Sequence, residues 1–297
     1  MLQLEKLFPF LFPKEEKRER KIIPKAGTTE HEIEVLKAEI KASELLKEKR
    51  RKRKYEILKV GVSKFDELIA DKGLERGSTI LISGGCGTGK TTFSLQSLYY
   101  GAKHNQKGIY ISFEEEIEKI KLHMKKNFGW DFYKLEEKGL IKFIQLDPIK
   151  VARKVEALRA KEAGTLRIEI KPLVLPFVPD RIAVDSLSAL SIAFEDEENY
   201  RKYVRTLFET LESYNSINFV LTETEQNPVI YSRAGIEEFL ADGVVVLYNL
   251  KIKDRRENAL EILKLRSSAH VKRLIPYKIT SNGFEIYPEK RLQLEFL

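Results

Sequence analysis

Residues 84–91 read GGCGTGKT, a glycine, four intervening positions, and then Gly89, Lys90 and Thr91. These residue types at this spacing suit a cradle for phosphate. The glycines let a backbone fold tightly round an anion with its N–H groups pointing inward, at a helix N-terminus that favours negative charge. On this reading Gly84, Gly85, Cys86, Gly87, Thr88 and Gly89 form the cradle, with Thr92 in the first helical turn. Lys90 reaches the β- and γ-phosphates, and the Thr91 hydroxyl is a ligand for Mg²⁺. The context agrees: a strand-like run, Thr79–Ser83, precedes the loop and a helix-like run follows it. An ordinary glycine-rich turn is the plainer alternative. The pattern predicts that a nucleoside triphosphate binds here.

Hydrolysis also needs one carboxylate in the metal shell and one to activate water. Asp185 closes the apolar run RIAVD, where it would hold Mg²⁺ through water, beside the Thr91 ligand. Glu114 and Glu115 follow another strand-like run, GIYISF, and would bring one carboxylate near the γ-phosphate as base. Neighbouring parallel strands open onto one crevice at their C-terminal ends, so these residues are expected to meet. The EEE run also reads as a charged helix start, which carboxylates favour.

The elements that must position them are legible from about Val60. The runs STILIS, GIYISF, IKFIQL, RIAVDS, INFVLT and GVVVLY alternate with helical stretches such as Thr91–Gly101, Ile117–Asn127 and Glu197–Tyr214. Several runs are continuously apolar, as in strands covered on both faces, so the expected fold is α/β with a mostly parallel central sheet. Residues 260–288 read as consecutive strands, expected as antiparallel additions at one edge.

The 297-residue chain carries a net charge of +8, and residues 1–59 hold 17 Lys/Arg against 11 Asp/Glu. The basicity therefore belongs mostly to an N-terminal arm (1–59), and residues 60–297 form the main domain. Thr29 and Glu32 make a capping-box pattern ahead of a charged helix that ends in KEKRRKRK, Lys47–Lys54. This run is either a solvated helix face or a contact for nucleic acid. No apolar run approaches the ~18–20 residues that span a bilayer. A single Cys excludes an internal disulfide, so a reducing, cytoplasmic setting is expected. Cys86, inside the loop, is either a small residue that fits or a thiol whose oxidation would block the phosphates.

Taken together, GGCGTGKTTFSLQSLY, ISFEE, FGWD (Phe128–Asp131), IAVDSLSAL, LTETE, GIEEFLADGVVVL and LEILKLRSSAH resemble the KaiC-like branch of the RecA superfamily of ATPases, over residues 60–288. The resemblance implies a RecA-like core using ATP and Mg²⁺, with Glu114 and Glu115 as paired catalytic glutamates. It implies a hexameric ring with ATP between subunits, so that Lys264, Arg266, Ser268 and His270 reach a nucleotide on the next subunit. Thr222 and Glu223 look like a sensor pair. Without the resemblance, Lys264 and Arg266 read as surface charges and Thr222 as an ordinary strand end.

Two departures from the family pattern matter. EEFLAD stands where one KaiC domain has phosphorylated hydroxyls, so autokinase activity is not expected. The stretch NPVIYSRAGIEEF offers one Arg where recombinases of the superfamily place DNA-contacting loops, and a groove that follows phosphates should be basic. The leading expectation is a slow, ring-forming regulatory ATPase with an unidentified protein partner. A DNA-repair or recombination ATPase, using Lys47–Lys54 on DNA, is the second reading. An ATP-gated scaffold without turnover is the third.

Overall fold

The structure, a computed structural model, describes residues 56–160, 175–226, 228 and 230–292. The helix expected after Thr29 and the Lys47–Lys54 run lie outside the described residues. Arg53–Leu297 forms one compact unit. It opens with β1 (Ile57–Leu58), paired antiparallel with β2 (Leu74–Glu75).

A nine-stranded sheet organises everything else. Its parallel part runs β3 (Thr79–Gly84), β4 (Gly108–Ser112), β5 (Ile141–Gln145), β6 (Arg181–Asp185), β7 (Ile217–Glu223) and β8 (Gly243–Ile252). Three antiparallel strands follow: β9 (Arg255–Leu265), β10 (Ile275–Thr280) and β11 (Gly283–Ile286). The spatial order is β11-β10-β9-β8-β3-β7-β6-β4-β5. The six apolar runs read from the sequence are the six parallel strands, and the C-terminal strands extend one edge as expected. This is the RecA-like α/β architecture.

Side chains alternate between two cores because the strand period is two. On β3, Ile80 and Ile82 join one cluster and Leu81 the other; on β7, Phe219 and Leu221 join the first and Val220 the second. Helices cover both faces: α1 (Lys90–Lys103), α2 (Ile117–Phe128), α3 (Phe132–Glu137), α4 (Pro148–Ala160), α5 (Leu187–Ala193), α6 (Glu197–Ser213) and α7 (Glu237–Leu240). Their ends follow local chemistry. The Asp196 side chain accepts from the Asn199 amide at 2.7 Å to start α6. Gly129, at φ 70°, stops α2 in the left-handed conformation that costs glycine little. α6 buries Tyr200, Val204, Leu207, Phe208 and Leu211, a stripe at helical spacing.

Strand order creates the crevice. From β3 the chain crosses over β7 and β6 to reach β4, so the loops after β3, β4, β6 and β7 all open at one edge of the sheet. Residues 84–91, 113–116, 185–188 and 222–226 lie on those loops or strand ends.

Candidate nucleotide-binding and catalytic site

The glycine-rich loop leaves β3 at Gly84 and enters α1 at Lys90. Gly89 is the N-cap of α1 at φ 88°, and an added Cβ there would lie 2.4 Å from Ile279 Cδ1. Glycine is required at this point both by the left-handed backbone and by the β10–β11 hairpin packed above it. That hairpin also holds the loop by a hydrogen bond, the Tyr277 hydroxyl donating to the Thr88 carbonyl at 2.6 Å. Inside the loop, Thr88 Oγ1 donates to the Gly85 carbonyl at 2.8 Å. Cys86 is exposed, and its carbonyl accepts from Gln226 Nε2 at 3.0 Å.

Lys90 is buried and folds back on the loop, its ammonium donating to the Gly84 and Gly85 carbonyls at 2.9 and 3.1 Å. Burial lowers its pKa, and Glu223, Asp185, Cys86 and Glu114 oppose that shift. An ammonium so placed can exchange its carbonyl partners for phosphate oxygens.

Asp185 ends β6 inside the crevice. Its Oδ2 accepts from Thr91 Oγ1 at 2.7 Å and from the Tyr110 hydroxyl at 2.5 Å. Burial pushes its carboxyl above the ordinary range, against the lowering effect of those two hydroxyls and Lys90. The Asp185–Ser186 peptide is cis. Thr91 and Asp185 are hard oxygen donors in direct contact, which suits Mg²⁺ carried in with a triphosphate.

Register brings the glutamates to the same place. Ser112 lies beside Asp185 in the β4–β6 ladder, so Glu114 follows two residues beyond. Desolvation raises the Glu114 pKa, followed by repulsion from Asp185 and Glu223. Glu115 is held through its backbone, its carbonyl accepting from Ser112 Oγ at 2.6 Å. Across the β3–β7 ladder, Thr222 pairs with Ser83 and Glu223 with Gly84. The Glu223 amide donates to Ser188 Oγ at 2.7 Å, and the Thr222 hydroxyl is buried with no hydrogen-bond partner. The structure therefore gathers Lys90, Thr91, Asp185, Glu114, Thr222 and Glu223 at one edge.

Lys264 and Arg266 are elsewhere. Lys264 pairs with Val244, itself beside Leu81, while the Arg266 amide donates to Asp242, whose amide donates to Thr79. Both residues thus sit towards the end of β3 opposite Gly84. At ~3.3 Å per residue and ~4.8 Å per strand, their Cα atoms are about 14 and 19 Å from Gly84. Lys264 Nζ donates to the carbonyls of Ala241 (2.6 Å), Glu238 (3.0 Å) and Phe239 (3.4 Å), and Arg266 also donates to Phe239 (3.0 Å). Two cations thus cap the C-terminal end of α7. A cleft of about 420 Å³ at this edge, lined by Arg205, Glu209, Asp242 and Arg266 among others, is remote from the phosphate loop. Ser268 accepts from the Asp71 amide at 3.3 Å, and His270 bridges to Ile69 with a buried, unpartnered Nδ1.

Tyr110, Gln226 and Tyr277 touch the site and were not singled out from the sequence. No local pattern marks them, since each reaches its partner across a long stretch of chain.

Comparison with known proteins settles the family. The model of the KaiC ATPase family matches residues 58–291. The chain belongs to the KaiC ATPase family. This KaiC-family chain is 32% identical over 235 residues to the circadian clock oscillator protein KaiC of Parathermosynechococcus lividus, covering 79% of this chain and 43% of that protein. It is 31% identical over 231 residues to KaiC of Synechococcus elongatus, covering 77% and 44%. The chain thus spans less than half the length of these curated relatives. A crystal structure of a KaiC-like protein from the hyperthermophilic archaeon Pyrococcus horikoshii OT3 superposes with a TM-score of 0.65 at 30% identity, covering 79% of this chain and all of that one. No helix among the described residues is long and apolar enough to cross a membrane.

Proposed function

We propose that this KaiC-family chain is a Mg²⁺-dependent ATPase that assembles as a ring, completes each site with residues of the next subunit, and uses slow turnover to regulate a protein partner. The observation that carries it is the meeting of Lys90, Thr91 and Asp185 with Glu114 in one crevice above the glycine-rich loop. The loop amides and Lys90 bind the β- and γ-phosphates. Thr91 and Asp185 hold Mg²⁺, which when bound neutralises charge on the phosphate oxygens. Glu114 takes the proton of the attacking water, with Glu115 in support, and ADP departs with its charge facing Lys90. Thr222, with its unpartnered hydroxyl, and Glu223 face the phosphate end of the loop and report whether it is filled.

Distance supports the ring reading. Lys264 and Arg266 are too far from their own loop to serve it, yet cations on the γ-phosphate stabilise the transition state and couple turnover to assembly. Ser268 and His270 continue that surface towards the neighbour. The N-terminal arm, ahead of β1 (Ile57–Leu58), is what a partner engages, in a cytoplasmic protein without autokinase activity.

Steady-state ATP hydrolysis tests this reading, measured on the full chain with and without single- and double-stranded DNA at several salt concentrations. Mg²⁺-dependent turnover that DNA leaves unchanged, and that Lys90→Ala abolishes, is expected. Stimulation by DNA that fades as salt rises would instead assign the protein to DNA repair. Tight ATP binding without turnover in any oligomer would make it a scaffold.

A further inference from the structure

Tyr110 lies wholly inside the first core, and its hydroxyl emerges at the site against Asp185. β4 points it to the same face as Ser112, and its ring packs on Phe143 with centroids 5.4 Å apart. The register sets Tyr110 beside Ala183, two residues before Asp185. From there the hydroxyl reaches Asp185 Oδ2 at 2.5 Å, the oxygen that also accepts from Thr91 at 2.7 Å.

The two bonds divide the carboxylate. Oδ2 receives two O–H donors, which leaves Oδ1 as the oxygen with capacity to spare. Thr91, having given its hydrogen to Asp185, keeps its lone pairs for a cation. Without Tyr110, Thr91 alone would anchor Asp185, and rotation about its side chain would carry Oδ1 away. A phenol also costs ~1–3 kcal/mol to bury unpaired, so phenylalanine would be the default for a ring in this core. The hydroxyl is therefore retained for what it touches.

We infer that Tyr110 is a positioning residue, orienting Asp185 so that Oδ1 and the Thr91 hydroxyl present a ready-made pair of oxygens to the Mg²⁺ accompanying the nucleotide. The inference deepens the proposed Mg²⁺-dependent site and rests on it. Tyr110 acts on the metal step and leaves the cradle of residues 84–90 untouched, since its hydroxyl meets the two metal-holding residues, Asp185 and Thr91.

The test is Tyr110→Phe in the full chain, read by binding of a fluorescent ADP analogue in EDTA and across a Mg²⁺ titration, with Mn²⁺ affinity measured by electron paramagnetic resonance. The expected result is metal half-saturation about tenfold weaker or more, the usual cost of losing an outer-shell partner, with metal-free nucleotide affinity unchanged. Phe143→Leu, which loosens the ring's packing but keeps the hydroxyl, lowers the melting temperature and leaves metal half-saturation in place. Unchanged metal half-saturation in Tyr110→Phe overturns the inference. So does a parallel loss of metal-free affinity, because that is a packing defect. Wild-type nucleotide binding that ignores Mg²⁺ overturns the proposed Mg²⁺ site itself, and the two failures are thereby told apart.

Discussion

Arg181 opens β6, is wholly buried, and spends all five of its N–H donors. Nε and Nη2 donate to Gln106 Oε1 at 2.9 and 2.7 Å, Nη2 also to the Lys59 carbonyl at 2.6 Å, and Nη1 to the Val60 carbonyl at 3.2 Å and Ser97 Oγ at 2.8 Å. This one side chain ties the strand that ends in Asp185 to α1, which begins with Lys90, and to residues 59–60. Burial lowers its pKa to about 10. Arg181→Lys keeps the buried charge, but a single ammonium cannot serve acceptors on both sides of the planar fork. Losing two charge-assisted bonds at ~1.5–3 kcal/mol each gives a loss of about 3–6 kcal/mol. Arg181→Met strands Lys59 O and Gln106 Oε1 at ~1–3 kcal/mol each, while Val60 O keeps a bond from Ser97 Oγ at 2.6 Å. Removing the charge returns on the order of 3 kcal/mol, the cost of holding the guanidinium out of water that its lowered pKa reflects. The net effect for Met then lies between ~1 kcal/mol gained and ~3 kcal/mol lost, so the conservative replacement is the worse one. Thermal and urea unfolding of the two variants reads this directly, at ~2–4 °C per kcal/mol for a domain of this size. A Lys variant as stable as the Met variant would contradict this role for the planar fork.

Two further outcomes follow from the site. Gly89→Ala forces a Cβ into Ile279 at a left-handed position, so nucleotide affinity measured by calorimetry should fall at least tenfold, with ~1–2 kcal/mol lost in stability. The proposed role of base requires Glu114 to be ionised, and desolvation with Asp185 and Glu223 raises its pKa. The rate should therefore fall, as pH drops, at a higher pH than an ordinary carboxylate gives; Glu223→Gln removes one raising charge and should move that acid limb of kcat/KM down.

Much of this was legible in the sequence because it is local. The run GGCGTGKT declares its loop, and RIAVD and INFVL declare strands covered on both faces, since continuous apolar runs have few other homes. Gly89 is legible as glycine, though its clash with Ile279 is not. What stayed hidden depends on pairs far apart in the chain: Tyr110 with Asp185 at 75 residues, Gln226 with Cys86 at 140, and Tyr277 with Thr88 at 189. An isolated tyrosine in a strand looks like any core aromatic until the fold sets a carboxylate beside it. Lys264 and Arg266 show the converse. Their residue types were evident, but only the β3–β8–β9 register reveals that they stand at the far end of the sheet from their own loop.

That separation makes a site shared between subunits measurable by mixing variants. One variant carries Lys264→Ala and Arg266→Ala, the other Glu114→Gln and Glu115→Gln; each alone should be nearly inactive. Assembled together from monomers at equal amounts, about one interface in four joins an intact base to an intact neighbouring cation pair in a head-to-tail ring. The mixture should regain about a quarter of the wild-type ATPase rate. No recovery, from a mixture shown to have exchanged subunits, would contradict a site completed by its neighbour.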